Sequence, residues 1–178
     1  DMYWNRIFLE PMYKGDYPKN FKDNVSKYCL EGDLNIINQK NDYIGLNHYQ
    51  HTRVKNDPNY LLTARGAFGN ETPFNLENVE LTFMNWEVVP DAYYNQIMEL
   101  KNDYNNPVIY LTENGCAYPD KIENGRINDH KRIEFYKKYL SAVKKSIDDG
   151  ADVRGYMTWT LMDNFEWALG FEKRFGLI

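Results

Sequence analysis

Val108-Ile109-Tyr110-Leu111-Thr112-Glu113-Asn114-Gly115 is the stretch that decides the fold. Its first four residues are a short apolar run that suits a buried strand, and its last four are polar or turn-forming. The same succession occurs on either side. Upstream, Tyr43-Ile44-Gly45-Leu46 is followed by Asn47, His48 and Tyr49. Downstream, Val153 to Leu161 reads as a third strand, and Asp163-Asn164-Phe165-Glu166-Trp167 comes after it. Helical segments separate the strands. Pro90 suits a first helical turn, and Tyr93, Tyr94, Ile97, Met98 and Leu100 give that helix an apolar side. Ile133, Tyr136, Leu140, Val143 and Ile147 step by three, four, three and four, the period of an amphipathic helix. Asp129 is its expected N-cap and Gly150 its expected stop. Strand, loop and helix in repetition is the rhythm of parallel α/β structure.

The rest of the chain fits around this frame. Its opening reads helix, turn, helix: Met2, Tyr3, Ile7 and Phe8 share a face, Pro11 ends the pattern, and Lys14-Gly15-Asp16-Tyr17-Pro18 is a turn. Asp33 to Gln39 reads as a short helix. A polar connection from about Gln50 to Leu81 contains Pro58, Gly66, Gly69 and Pro73. A connection of that length inside a compact domain is usually functional or disordered. Gly66 and Gly69 do not complete a phosphate-loop pattern. Three strands alone would leave two exposed sheet edges, so the chain is expected to belong to a larger sheet or barrel.

Composition narrows the function. Lys plus Arg is 21 against 26 for Asp plus Glu, a net charge of −5 with no basic run, which argues against a nucleic-acid surface or a polybasic membrane patch. No apolar run approaches the roughly 18–20 residues of a membrane span. No charged-then-apolar signal segment opens the chain, and a cytoplasmic location is the expectation. Cys29 and Cys116 form neither a disulfide framework nor a metal-ligand pattern. The chain is rich in aromatics, with 15 Tyr, 9 Phe and 4 Trp, and so in flat apolar faces with polar handles.

Groups that can do chemistry gather after the three strands. In a (β/α)₈ barrel the strand ends at this face build the active site. Glu113 could be a nucleophile, a base or a solvated loop residue; no His or Asp stands near it at ligand spacing, so a metal is the weaker choice. Taken singly, Asn47 reads as a turn former, and Tyr49 and Trp159 read as core residues. Glu166 is more telling, because a carboxylate between Phe165 and Trp167 suits a ligand that offers hydroxyl groups and a stackable face. His48, His51 and His130 read as ordinary solvated histidines.

Tyr110-Leu111-Thr112-Glu113-Asn114-Gly115 resembles the nucleophile motif of family 1 glycoside hydrolases, the β-glucosidase and phospho-β-glucosidase family. Trp159 to Ala168, running on to Lys173-Arg174-Phe175-Gly176-Leu177, resembles the family's last-strand segment. Asp42 to Tyr49 resembles its sixth-strand motif, and Asn85-Trp86-Glu87-Val88-Val89-Pro90 its tryptophan loop. Gly15-Asp16-Tyr17-Pro18 matches a further turn, and His48 stands where the family often has Tyr.

This resemblance implies retaining hydrolysis of β-glucosides or related β-glycosides, without a cofactor or metal. Glu113 would attack the anomeric carbon, with Tyr49 and Asn47 orienting the carboxylate and contacting the sugar. Trp159 would stack on the sugar, Glu166 would bind its 4- and 6-hydroxyls, and Trp167 would donate to the 3-hydroxyl. Phe175 is grouped with these substrate contacts, and Trp86 would line the leaving-group side. Residues 1–178 are then expected to be the C-terminal three-strand portion of a TIM (β/α)₈ barrel, strands six to eight, with the N-terminal strands and the final helix absent. The missing N-terminal barrel half is the implied partner. The family's acid/base Asn-Glu-Pro triplet is not found; Asn70-Glu71-Thr72-Pro73 is not it. The chain alone is therefore expected to be inactive. The alternatives are a 6-phospho-β-glucosidase and a sugar-binding barrel without catalysis.

Overall fold

The computed structural model describes residues 2–53 and 78–178. Pro58, Gly66, Gly69 and the Asn70 to Pro73 stretch lie outside them. A π-helical turn at Met2–Arg6 leads into α1 (Ile7–Lys14), followed by α2 (Lys19–Val25), α3 (Asp33–Ile37) and β1 (Ile44–Asn47). Then come α4 (Pro90–Asp103), β2 (Ile109–Asn114), a hairpin of β3 (Ile122–Glu123) and β4 (Arg126–Ile127), α5 (His130–Asp148) and β5 (Val153–Thr158).

β1, β2 and β5 form a three-stranded sheet in that order, and both pairings are parallel. Ile44 lies opposite Ile109, Leu46 opposite Leu111, and Leu111 opposite Tyr156. A parallel pair needs a crossover, and α4 and α5 supply the two crossovers here. Both helices cover one face of the sheet. Leu46, Ile109 and Leu111 from the strands pack with Tyr93, Ile97 and Leu100 from α4 and with Phe135, Tyr139 and Val143 from α5. Phe135 and Tyr139 stack with ring centroids 4.2 Å apart. At the other end of the chain, Arg6 docks the opening helices on α4 by donating to Glu99 at 2.7 Å and Asp103 at 3.2 Å.

The structure corrects several expectations. α1 runs through Pro11 and stops at Gly15 (φ 71°). Pro11 is buried, and the bond it cannot donate is the one back to Ile7; the residues after it keep their own donors and complete the last turn. On α5 the buried face is Arg132, Phe135, Tyr139, Ala142, Val143 and Ser146. Of the expected stripe Val143 is buried, whereas Ile133, Leu140 and Ile147 are 50%, 43% and 42% exposed. Two apolar stripes share this helix, and the one carrying the large rings Phe135 and Tyr139 takes the core, where it removes more apolar area from water. Asp129 does stand at the N-cap, its carbonyl accepting from the Ile133 N–H at 3.0 Å, but its side chain pairs with Arg132 and makes no cap bond. Gly150 does end the helix (φ 91°): its N–H bonds the Ile147 carbonyl and the Ala151 N–H bonds the Ser146 carbonyl, which satisfies two end carbonyls together.

β1 and β5 each pair only with β2 among the described residues. A concave space of about 1130 Å³ opens beside β1, lined in part by Phe8, Leu9, Ile44, Leu46 and Leu100. Unpaired edges and open apolar surface both favour association. The 178-residue chain expressed alone is expected to self-associate, with light scattering after size exclusion showing species larger than the monomer. A monodisperse monomer with one cooperative melting transition would contradict this.

Candidate active site

The site begins with a break in alternation along β2. Ile109 and Leu111 are buried, so strict alternation would bury Glu113 as well. Instead the register shifts, against β1 between Leu46 and Asn47 and against β5 between Leu111 and Asn114. Such irregularities re-aim side chains at sheet ends. Asn114 takes the buried position, fully shielded, and Glu113 is left half-exposed at the C-terminal end of the strand.

Asn114 then fastens the three strand ends. Its Nδ2 donates to the His48 carbonyl at 2.7 Å, and its Oδ1 accepts from the Tyr156 hydroxyl at 2.7 Å. Its backbone carbonyl accepts from the Trp159 N–H at 2.9 Å. Gly115 lets the chain pass β5: a Cβ at this position would lie 1.9 Å from the Trp159 carbonyl oxygen. The peptide between Trp159 and Thr160 is cis.

On this base the carboxylate of Glu113 accepts a hydrogen bond from the Tyr49 hydroxyl at 2.7 Å, and its backbone carbonyl accepts from the His48 N–H at 2.9 Å. Burial pushes the Tyr49 phenol far above the ordinary tyrosine range, and the hydrogen bond to Glu113 with the charges of Glu113 and Glu166 pushes it further. Tyr49 is therefore a permanent donor to Glu113. Asn47 lies opposite Glu113 in the register, but its Oδ1 accepts from the Thr112 hydroxyl at 2.7 Å. Its contact to β2 is thus through Thr112.

Rings surround Tyr49. Its centroid is 5.3 Å from that of Trp86 and 6.3 Å from that of Phe175, and Trp86 and Phe175 are 6.2 Å apart. Phe175 is only 1% exposed and backs these two rings. Trp159 is half-buried where β5 ends, its carbonyl accepting from the Tyr136 hydroxyl at 3.4 Å. Glu166 is half-buried and accepts from Asn164 Nδ2 at 2.7 Å. Trp167 is 87% exposed with φ 43°.

His48 is a second correction. It is buried, stacked on Tyr93 at 4.5 Å and bonded through Nδ1 to Gln96 Oε1 at 2.7 Å. Burial holds its pKa below the usual histidine range. Its flat ring packs as an aromatic would there, and of its two nitrogens Nδ1 is bonded while Nε2 is buried without a partner. Burial also raises the Cys116 thiol well above its ordinary value, so it is inert. Among the described residues no three His, Cys, Asp or Glu side chains come together as a metal site. Sequence reading missed Asn114, Tyr156 and Thr112 as supports. Asn114 was signalled only by following a carboxylate at a strand end.

A half-exposed carboxylate held by a neutral phenol, beside aromatic rings and a second carboxylate, suits attack on an electrophilic carbon carrying hydroxyl groups. The family model described as Glycosyl hydrolase family 1 matches residues 1–178. β-Glucosidase A of Thermotoga maritima is 38% identical over 97% of the chain and 38% of its own length. A 6-phospho-β-galactosidase of Leptotrichia buccalis is 31% identical over 99% of the chain and 43% of its own length. The crystal structure of a β-glucosidase from Exiguobacterium marinum superposes with a TM-score of 0.84 at 36% identity, covering 99% of the chain and 40% of that structure. The chain thus spans about two fifths of the length of the relatives it matches.

Tyr156→Phe leaves Asn114 Oδ1 without its buried donor. It is expected to lower unfolding free energy by about 1–3 kcal/mol, measured by urea titration of the complete protein. A change too small to resolve would remove Asn114 from its role as the fastener.

Proposed function

The chain belongs to glycosyl hydrolase family 1, and from that membership we propose that it carries the nucleophile side of a retaining β-glycosidase. In this reading residues 1–178 supply strands six to eight of a (β/α)₈ barrel. The preceding strands and the acid/base carboxylate come from the rest of a longer, cytoplasmic protein. A parallel sheet whose polar groups collect at one end supports that placement. No described helix is long and apolar enough to cross a membrane.

The observation that carries the proposal is the Tyr49–Glu113 hydrogen bond at the strand ends. Glu113 attacks the anomeric carbon of a β-glucoside. The glycosidic C–O bond breaks, the leaving oxygen takes a proton from the second carboxyl group, and a glycosyl ester forms on Glu113. Water then hydrolyses the ester with retention. Tyr49 keeps one lone pair of Glu113 engaged and leaves the carboxylate charged and aimed. Trp159 stacks on the sugar, Glu166 receives the 4- and 6-hydroxyls, and Trp86 lines the leaving-group side. Trp167 donates from its indole nitrogen to the 3-hydroxyl. Asn47, bonded to Thr112, helps orient the Glu113 carboxylate and contacts the sugar. Phe175 acts through the rings of Tyr49 and Trp86.

Glu113→Gln in the complete protein keeps the shape and removes the anion. kcat on an activated aryl β-glucoside is expected to fall by several orders of magnitude, because covalent catalysis and charge stabilisation are lost together. Near-normal turnover would remove Glu113 from the nucleophile role. Glu166 generates a separate expectation. A carboxylate beside the 6-position repels a phosphate there, so kcat/KM should favour the aryl glucoside over its 6-phosphate. The opposite preference would establish the 6-phospho-β-glucosidase alternative.

A further inference from the structure

Glu87 is a charged residue that is only 9% exposed, and nothing in the proposed chemistry uses it. Its carboxylate receives a forked contact from Arg53: Nε donates to Oε1 at 2.9 Å and to Oε2 at 3.1 Å, and Nη2 donates to Oε2 at 2.9 Å. His51 Nε2 lies 3.3 Å from Oε2. A fork of this kind fixes direction as well as distance.

Its place in the chain gives the contact meaning. Glu87 directly follows Trp86, and His51 and Arg53 lie two and four residues beyond Tyr49. Tyr49 touches Glu113, and its ring meets that of Trp86 at 5.3 Å. The Tyr49 end is anchored independently, through the His48 N–H on Glu113 and the His48 ring on Tyr93. The Trp86 end is a tight turn closed on itself, with the Thr82 N–H on the Trp86 carbonyl at 2.9 Å and the Trp86 N–H on Thr82 Oγ1 at 3.3 Å. Among the described residues no backbone hydrogen bond joins the segment 48–53 to the segment 81–89. The Glu87 carboxylate is the polar tie between them. An ion pair with one partner this buried is seldom kept for stability alone, since apolar replacements often do as well.

We infer that Glu87 is a positioning residue for the leaving group: through Arg53 and His51 it sets the separation of Trp86 from Tyr49, and so the width of the leaving-group side. This rests on the proposed roles of Glu113 and Trp86. A leaving group that touches Trp86 feels the tie, and one too small to reach it does not.

The test compares 4-nitrophenyl β-glucoside with β-glucosyl fluoride on the complete protein, for wild type, Glu87→Gln, Arg53→Met and the double variant. Both single variants are expected to lose about tenfold in kcat/KM on the aryl glucoside, chiefly through KM, and less than about twofold on the fluoride. The double variant should lose no more than the worse single one, since both remove the same contact. If Glu87→Gln fails to fold, Arg53→Lys, which keeps the charge but not the fork, should show the same selective loss. Equal losses on both substrates, no loss on either, or additive losses would overturn the inference and leave Glu113 as nucleophile untouched. A wild-type protein that cleaves neither substrate would overturn the glycosidase reading and this inference with it.

Discussion

The buried amide of Asn114 is the constraint on which the rest depends. One side chain with no exposed surface ties the carbonyl that ends β1 to the hydroxyl of Tyr156 on β5, and its own carbonyl holds Trp159. A buried amide left half-paired would be costly, so the three strand ends must arrive together or not at all. Because Asn114 turns inward, Glu113 turns out of the packing against α4 and α5. The direction of the Glu113 carboxylate follows from a hydrogen-bond requirement one residue away.

Tyr49 completes that direction. Its phenol is raised by burial and by the two carboxylates near it, and it cannot ionise in any ordinary buffer. It therefore orients Glu113 without competing for its charge. Electrostatic preorganisation works in this way: a fixed dipole is in place before charge develops, so it need not reorganise during reaction. Phe175 and Trp86 both lie against the Tyr49 ring, and Glu87, next to Trp86, bonds Arg53 on the segment that carries Tyr49. The supports of Asn114 and the rings around Tyr49 form one connected set of contacts at the end of the sheet.

Much of this was legible in the residues, for identifiable reasons. The three strands stood out because each is a short apolar run followed by polar groups, and Pro90 and Gly150 marked helix ends by their own backbone restrictions. The face of α5 was misread because its period fits two apolar stripes, and which one is buried depends on where α4 and the sheet lie. The β3–β4 hairpin was missed although Asn124-Gly125, both with positive φ, is a strong local turn signal. In the site, Glu113 and Tyr49 were legible as motif residues and the structure brings them together. The burial of Phe175, the exposure of Trp167 and the stacking of His48 depend on neighbours distant in sequence. So does the tie between Arg53 and Glu87.

The central claim is that Glu113 is the atom-bonding nucleophile, and the most direct measurement is covalent trapping. The complete protein is incubated with 2-deoxy-2-fluoro-β-glucosyl fluoride, digested, and mapped by mass spectrometry. The fluorine at the 2-position slows hydrolysis of the glycosyl ester because it destabilises the oxocarbenium-like transition state. One label per protein, on the peptide and residue of Glu113, is the expected result. A label on another carboxylate, or rapid loss of activity with no label on Glu113, would contradict it.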